Sequence, residues 1–168
     1  MKALYLLSVW LHILAAITWI GGTVFLVLVL LPVLRKPQYH SILGELVHWT
    51  GERFRWVGWI CLTLLVLSGT FNVAYRGIGW DDVWSGRLWR GPFGRALGIK
   101  LFLVAVILLL SALHDFVIGP RATAAWQEDP TSPVVRRLRR QAGWIGRVNL
   151  LLALIVVALG VMLVRGWP

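Results

Sequence analysis

The chain has 168 residues, of which 58% are hydrophobic and only 14% charged, with a mean hydropathy of +0.75. A soluble domain carries about 25% charged residues, so these values point to a membrane protein and away from a water-soluble globular fold. The net charge of +10 does not indicate nucleic acid, because the basic residues sit in short gaps between apolar runs and not on one soluble face.

Four stretches are long and apolar enough to cross a bilayer, which takes about 20 residues. They run from about Leu4 to Leu34, Trp56 to Tyr75, Leu97 to Gly119 and Trp144 to Val164. These lengths leave no room for a soluble domain, so the expected fold is all-α: a polytopic four-helix membrane bundle with short interfacial helices, forming one domain over residues 1–168. The first run continues past the length of a secretory signal and lacks its cleavage site, so it is expected to be retained. Pro32 and Pro37 are expected to end it, since proline lacks the helical donor.

The connections are short. Gln38 to Thr50 mixes apolar and polar residues, as a helix lying on the membrane surface would. Gly77 to Gly94 carries Trp80, Trp84 and Trp89 among charged residues and reads as an aromatic interfacial loop. Arg121 to Gly143, with Asp129-Pro130, Pro133 and the basic run Arg136 to Arg140, reads as a mobile loop. Gly94-x-x-x-Gly98 is a close-packing motif at the start of span three. Ten of the 17 Lys and Arg residues lie on the side of the first and third connections. By the positive-inside rule this places both termini on the outer side of a prokaryotic inner (plasma) membrane. Anionic lipid headgroups are the expected partners of the basic loops.

Polar side chains inside a span are costly, so they mark where function is expected. His12 lies about 12 Å into span one, and Lys100 a turn into span three on the same side, at about 1.5 Å per residue. With Asn72 they form an outer polar layer. His114 and Asn149 lie at similar depth near the other end, with Asp115, His48, Glu52, Arg53 and Arg55 close to that boundary. Lys100, Val104, Ile107, Ser111 and His114 make one stripe along span three, about 21 Å long at the same rise. One ordinary cofactor cannot easily be held by both ends of that stripe.

Each of these residues has a plainer reading. His12 can be a hydrogen-bonded packing residue, Lys100 can snorkel to the surface, and His40 and His48 can be interfacial. Ala15, Ala16, Trp19 and Gly22 near His12 could admit a flat porphyrin, or could let two helices pack closely. A single cysteine, Cys61, excludes an internal disulfide and any multi-cysteine zinc or iron–sulfur site. The chain lacks nucleotide-binding, C-x-x-C and H-E-x-x-H motifs, which excludes a nucleotide-driven pump and a zinc protease on this chain alone.

The segments LHILAAITWIGGTVFLVLVLLPVLR, ERFRWVGWICLTLLVLSGTFN, LGIKLFLVAVILLLSALHDFVIGPRA and WIGRVNLLLALIVVALGVMLVRG resemble the CopD-like membrane domain of the copper-resistance D proteins. HDFVIGPRA, His114 to Ala122, is the most specific piece. A weaker likeness is to the four-helix bacterial protoporphyrinogen oxidase, carried by His12 with its following Trp and by Lys100. The resemblance implies a haem-associated or copper-associated membrane protein.

Three functions therefore stand. The leading expectation is a b-type haem protein moving electrons in the membrane, and, if an enzyme, a haem-dependent oxidoreductase. Its axial ligand would be His12, with Lys100, His48 or His114 as further ligands and Arg53 and Arg55 facing the propionates. The alternative is copper binding or transport through His12, His114, His48 and Asp115; imidazole and carboxylate suit Cu(II), while Cys61, Met1 and Met162 offer little soft sulfur for Cu(I). The third is a non-catalytic membrane subunit, in a homo-oligomer or beside a partner membrane subunit of a respiratory assembly.

Overall fold

The structure is a computed structural model that describes residues 2–165; the side chains of His40 and Trp80 also lie outside the description, as does Met1. The described residues form helices and turns without a strand. Helix α1 (Lys2–Phe25) passes through a π-turn (Leu26–Leu30) into α2 (Leu31–Leu34), and a 3-10 turn (Pro37–Tyr39) leads to α3 (His40–Tyr75). A loop with the short helix α4 (Trp80–Trp84) precedes α5 (Gly91–Leu113), a second π-turn (His114–Ile118) and α6 (Gly119–Glu128), before α7 (Pro133–Arg165). Four helical rods of 33 to 38 residues are long and apolar enough to cross a membrane.

Both π-turns stand immediately before a proline. Leu31 N–H bonds Leu26 O ahead of Pro32, and Gly119 N–H bonds His114 O ahead of Pro120. Proline cannot donate, and its ring collides with the carbonyl four residues back. Closing the preceding turn over five residues moves that carbonyl aside, so the helix continues. Pro32 thus widens the first rod where the sequence suggested an end, and the rod turns only after Leu34.

Two connections are also more helical than expected. Residues 40–50 are not a separate surface helix but the first turns of α3, which holds no proline to break it. Arg121 to Gly143 is not a loop: α6 runs to Glu128 and α7 starts at Pro133, around a tight turn at Asp129. The Asp129 carboxylate accepts from the Thr131 hydroxyl at 2.7 Å and amide at 2.8 Å. Those bonds hold its carboxyl below the usual carboxylate range.

The rods pack as two hairpins, α1 with α3 and α5 with α7, joined by contacts between α1 and α7. At the centre, Ala15 and Trp19 of α1, Cys61 and Leu62 of α3, Ile107 of α5 and Ala153 of α7 make one buried apolar layer. Outward faces carry large apolar side chains such as Leu6, Phe102, Leu109 and Leu151. Water would leave them unpaid, whereas lipid tails solvate them, so the arrangement is that of an integral membrane protein. Gly94 and Gly98 do not seat another rod: they receive the returning loop, with the Leu88 carbonyl against Gly94 and the Trp89 ring over Gly98.

Candidate functional site

The two polar layers expected from the sequence lie on either side of the central apolar layer. At the end that carries the termini, His12 Nδ1 is 2.8 Å from Ser68 Oγ on α3. The Ser68 hydroxyl has one proton, and it donates to Leu64 O at 2.5 Å. It therefore accepts from His12 Nδ1–H, and a neutral imidazole with its proton on Nδ1 has its lone pair on Nε2. Leu65 O is a further acceptor beside the ring, and Ser8, one turn before His12, reaches Ser68 O at 3.4 Å.

Lys100 joins this layer as expected. Its Nζ would lie 3.5 Å from a Cβ at Gly160 of α7, and its charge is within electrostatic reach of His12. Asn72 is on the same side, with Oδ1 buried and unpartnered among the described residues.

The small residues around His12 serve helix packing. Ala15 and Trp19 belong to the buried centre. The Phe54 ring sits against Gly22, the Trp19 indole lies over Gly58, and the His12 ring lies over Gly69. Glycines on α1 and α3 thus let the two rods approach, as small residues do in membrane bundles.

At the opposite end, the second π-turn starts at His114. Here His114 Nδ1 lies 2.7 Å from Asp115 Oδ1, and Trp59 Nε1–H of α3 donates to Asp115 Oδ2 at 2.9 Å. An ionised carboxylate only accepts, so Nδ1 carries a proton, and in the neutral imidazole the lone pair is again on Nε2. Phe116 packs beside Trp59, with ring centroids 5.4 Å apart. One turn back, Asn149 Nδ2 donates to Ser111 Oγ at 2.9 Å across α5 and α7, and Asn149 Oδ1 is buried without a partner among the described residues.

The remaining candidates fall elsewhere. His48 lies 3.9 Å from Glu52, which also pairs with Arg55 at 3.8 Å. Arg53 is exposed on the same helix. Asp115 has both oxygens engaged, which makes it the group that orients His114. Sequence reasoning missed Ser68 and Trp59. Their depth was the available signal: Ser68 lies as far from the end of its span as His12 does from the start of its own, and Trp59 is level with Asp115.

The copper resistance protein D family model matches residues 50–163. The chain belongs to that family. The matched segment of this CopD protein holds Trp59, Ser68, Lys100, His114, Asp115 and Asn149, while His12 precedes it. An uncharacterized protein of Aquifex aeolicus (strain VF5) is 32% identical over 99% of this chain and 98% of its own length. No solved structure has significant similarity to the chain. The family and the four membrane-spanning helices make this CopD-family chain an integral membrane protein related to copper resistance.

Proposed function

We propose that this CopD-family protein binds copper ions as its substrate within the membrane, through Nε2 of His12 on one side of the bundle centre and Nε2 of His114 on the other. The observation that carries the reading is that both imidazoles are tied at Nδ1, by Ser68 and by Asp115. Orienting hydrogen bonds of this kind fix the tautomer and aim the other nitrogen at a metal. Neutral imidazole is a good copper ligand. Among the described residues no group of three or more His, Cys, Asp and Glu side chains is gathered to hold a metal. Each imidazole would thus hold an ion loosely, which suits handling and release better than storage. Between the two lies Cys61, the chain's one thiol, buried in the central layer; thiolate is a soft donor for Cu(I).

A haem b shared between these residues fits the interior poorly. The small residues that could have admitted a porphyrin are covered, Gly22 by the Phe54 ring and Gly58 by the Trp19 indole, and the centre between the two histidines is packed. The groove of about 270 Å³ between α1 and α3 is lined by leucines, Phe71, Ser8 and Ser68 and opens outward. Arg55, expected at a propionate, is paired with Glu52. For orientation, the distribution of Lys and Arg supports a prokaryotic plasma membrane with the His12 end outward.

The test is copper stoichiometry. The purified protein is loaded with copper in mild detergent, desalted, and its copper counted per chain. Wild type is expected to retain copper, His12→Ala and His114→Ala less, and the double variant none. Undiminished copper in the double variant would overturn the proposal. So would a copper-free wild type whose dithionite-reduced spectrum shows the bands of a b-type haem.

A further inference from the structure

At the His114 end, α3, α6 and α7 line a small open cleft of about 50 Å³. Its walls are Gly44 and His48 of α3, Ala122, Thr123 and Trp126 of α6, and Arg139 of α7. The Trp126 indole lies directly on Gly44, where any Cβ would collide with it. That contact closes one wall and holds α6 against α3.

The chemistry inside the cleft is one-sided. Arg139 is half-buried, yet its guanidinium has neither an ion-pair partner nor an acceptor among the described residues, and the Thr123 hydroxyl has no partner among them either. The nearby carboxylate, Glu52, is shared by His48 and Arg55. Arg136 is turned away, donating to Thr131 O. Open donors at the mouth of a cleft are completed by water or, more strongly, by an anion that takes two of them at once. A cavity of this size holds a few waters or one tetrahedral oxyanion, at about 10–15 Å³ of such volume per water.

We propose that this cleft binds a phosphate group, gripped by the Arg139 fork, the Thr123 hydroxyl and a ring nitrogen of His48. Arginine matches phosphate oxygens with two parallel N–H donors. The cleft lies beyond the apolar stretches of the rods, among their basic residues, so the group belongs either to an anionic phospholipid or to a free phosphate. This site is separate from the copper-binding histidines, and its test does not depend on them.

The full chain is purified in mild detergent and its bound lipid measured by native mass spectrometry, with phosphatidylglycerol against phosphatidylcholine as probes. Thermal unfolding with added inorganic phosphate is measured in parallel. The wild type is expected to retain phosphatidylglycerol selectively, and Arg139→Gln to weaken retention about tenfold, the effect of one charge-assisted contact. Arg140→Gln, on the same helix but exposed, is expected to stay close to wild type. Thr123→Val should cost about fivefold, as a neutral hydrogen bond does, and keeps the test valid if Arg139→Gln does not fold. Stabilisation by inorganic phosphate that depends on Arg139 and Thr123, without lipid selectivity, would assign the site to free phosphate. Equal loss in the Arg139 and Arg140 variants, or no dependence on Arg139 or Thr123 with either probe, would overturn the proposal.

Discussion

His12 Nδ1 and Ser68 Oγ lie 2.8 Å apart on two helices, 56 residues distant in sequence, and this contact sets which nitrogen of the neutral ring keeps its lone pair. The serine proton is committed to its own helix at Leu64 O, so the imidazole must donate. His114 reaches the same tautomer by a different route, through a carboxylate that Trp59 holds from α3. Two unlike tethers thus give one outcome at the two ends of the bundle.

Ser68→Ala removes the tether at His12 while leaving the ligand. Loss of such an orienting bond lowers metal affinity by about 10–100-fold. Copper affinity at the His12 end, read by competition titration in a His114→Ala background, should fall about tenfold. Ser8→Ala, whose hydroxyl meets only the Ser68 carbonyl at 3.4 Å, should leave it unchanged.

Trp59→Phe keeps a ring beside Phe116 but deletes the N–H that holds Asp115 Oδ2. The Asp115 side chain is 19% exposed, so water replaces part of the lost bond. Stability in detergent should fall by about 1.5 kcal/mol, the lower end for hydrogen bonds to charged groups. Copper affinity at His114 should fall with it, whereas a purely structural role would lower the unfolding midpoint alone.

Adjacent glycines of α1 should respond in opposite ways. A Cβ at Gly22 would run into the Phe54 ring, while a Cβ at Gly21 meets nothing within 4 Å. Gly22→Ala is expected to destabilise the fold by about 1–3 kcal/mol through overpacking between α1 and α3. Gly21→Ala should be neutral or stabilising by up to about 1 kcal/mol, the helix-propensity gain. Unfolding midpoints of the two variants check this directly.

The Asn149–Ser111 bond, 2.9 Å across α5 and α7, is a buried polar contact in an apolar seam. Interhelical hydrogen bonds in membrane proteins average about 0.6 kcal/mol in double-mutant cycles. A cycle of Asn149→Ala and Ser111→Ala should return a coupling of that size, and a value of zero would show that the pair does not hold the hairpin together.

The spans were legible because about 20 apolar residues in a row have few other uses, and His12, His114 and Asp115 stood out because polar groups in a span are rare. Residues 40–50 and 121–143 were misread for a physical reason. An amphipathic segment at the end of a span has the same composition whether it bends onto the surface or continues the rod. Pro32 looked like a break, but a π-turn absorbs it, as a second one does Pro120. Ser68 and Trp59 stayed hidden because serine and tryptophan are ordinary in membrane helices. Their roles come from which face of α3 meets α1 and the second π-turn, a relation between helices that periodicity along one chain does not contain.

The most direct test is the electron paramagnetic resonance spectrum of Cu(II) on the purified, folded protein, with helical content checked by circular dichroism. Coordination through Nε2 of His12 and His114 predicts hyperfine structure from imidazole nitrogen. Each single His→Ala variant should weaken it, and the double variant should lack it while keeping its helicity. Unchanged nitrogen coupling in the folded double variant, or none in the copper-loaded wild type, would contradict the account.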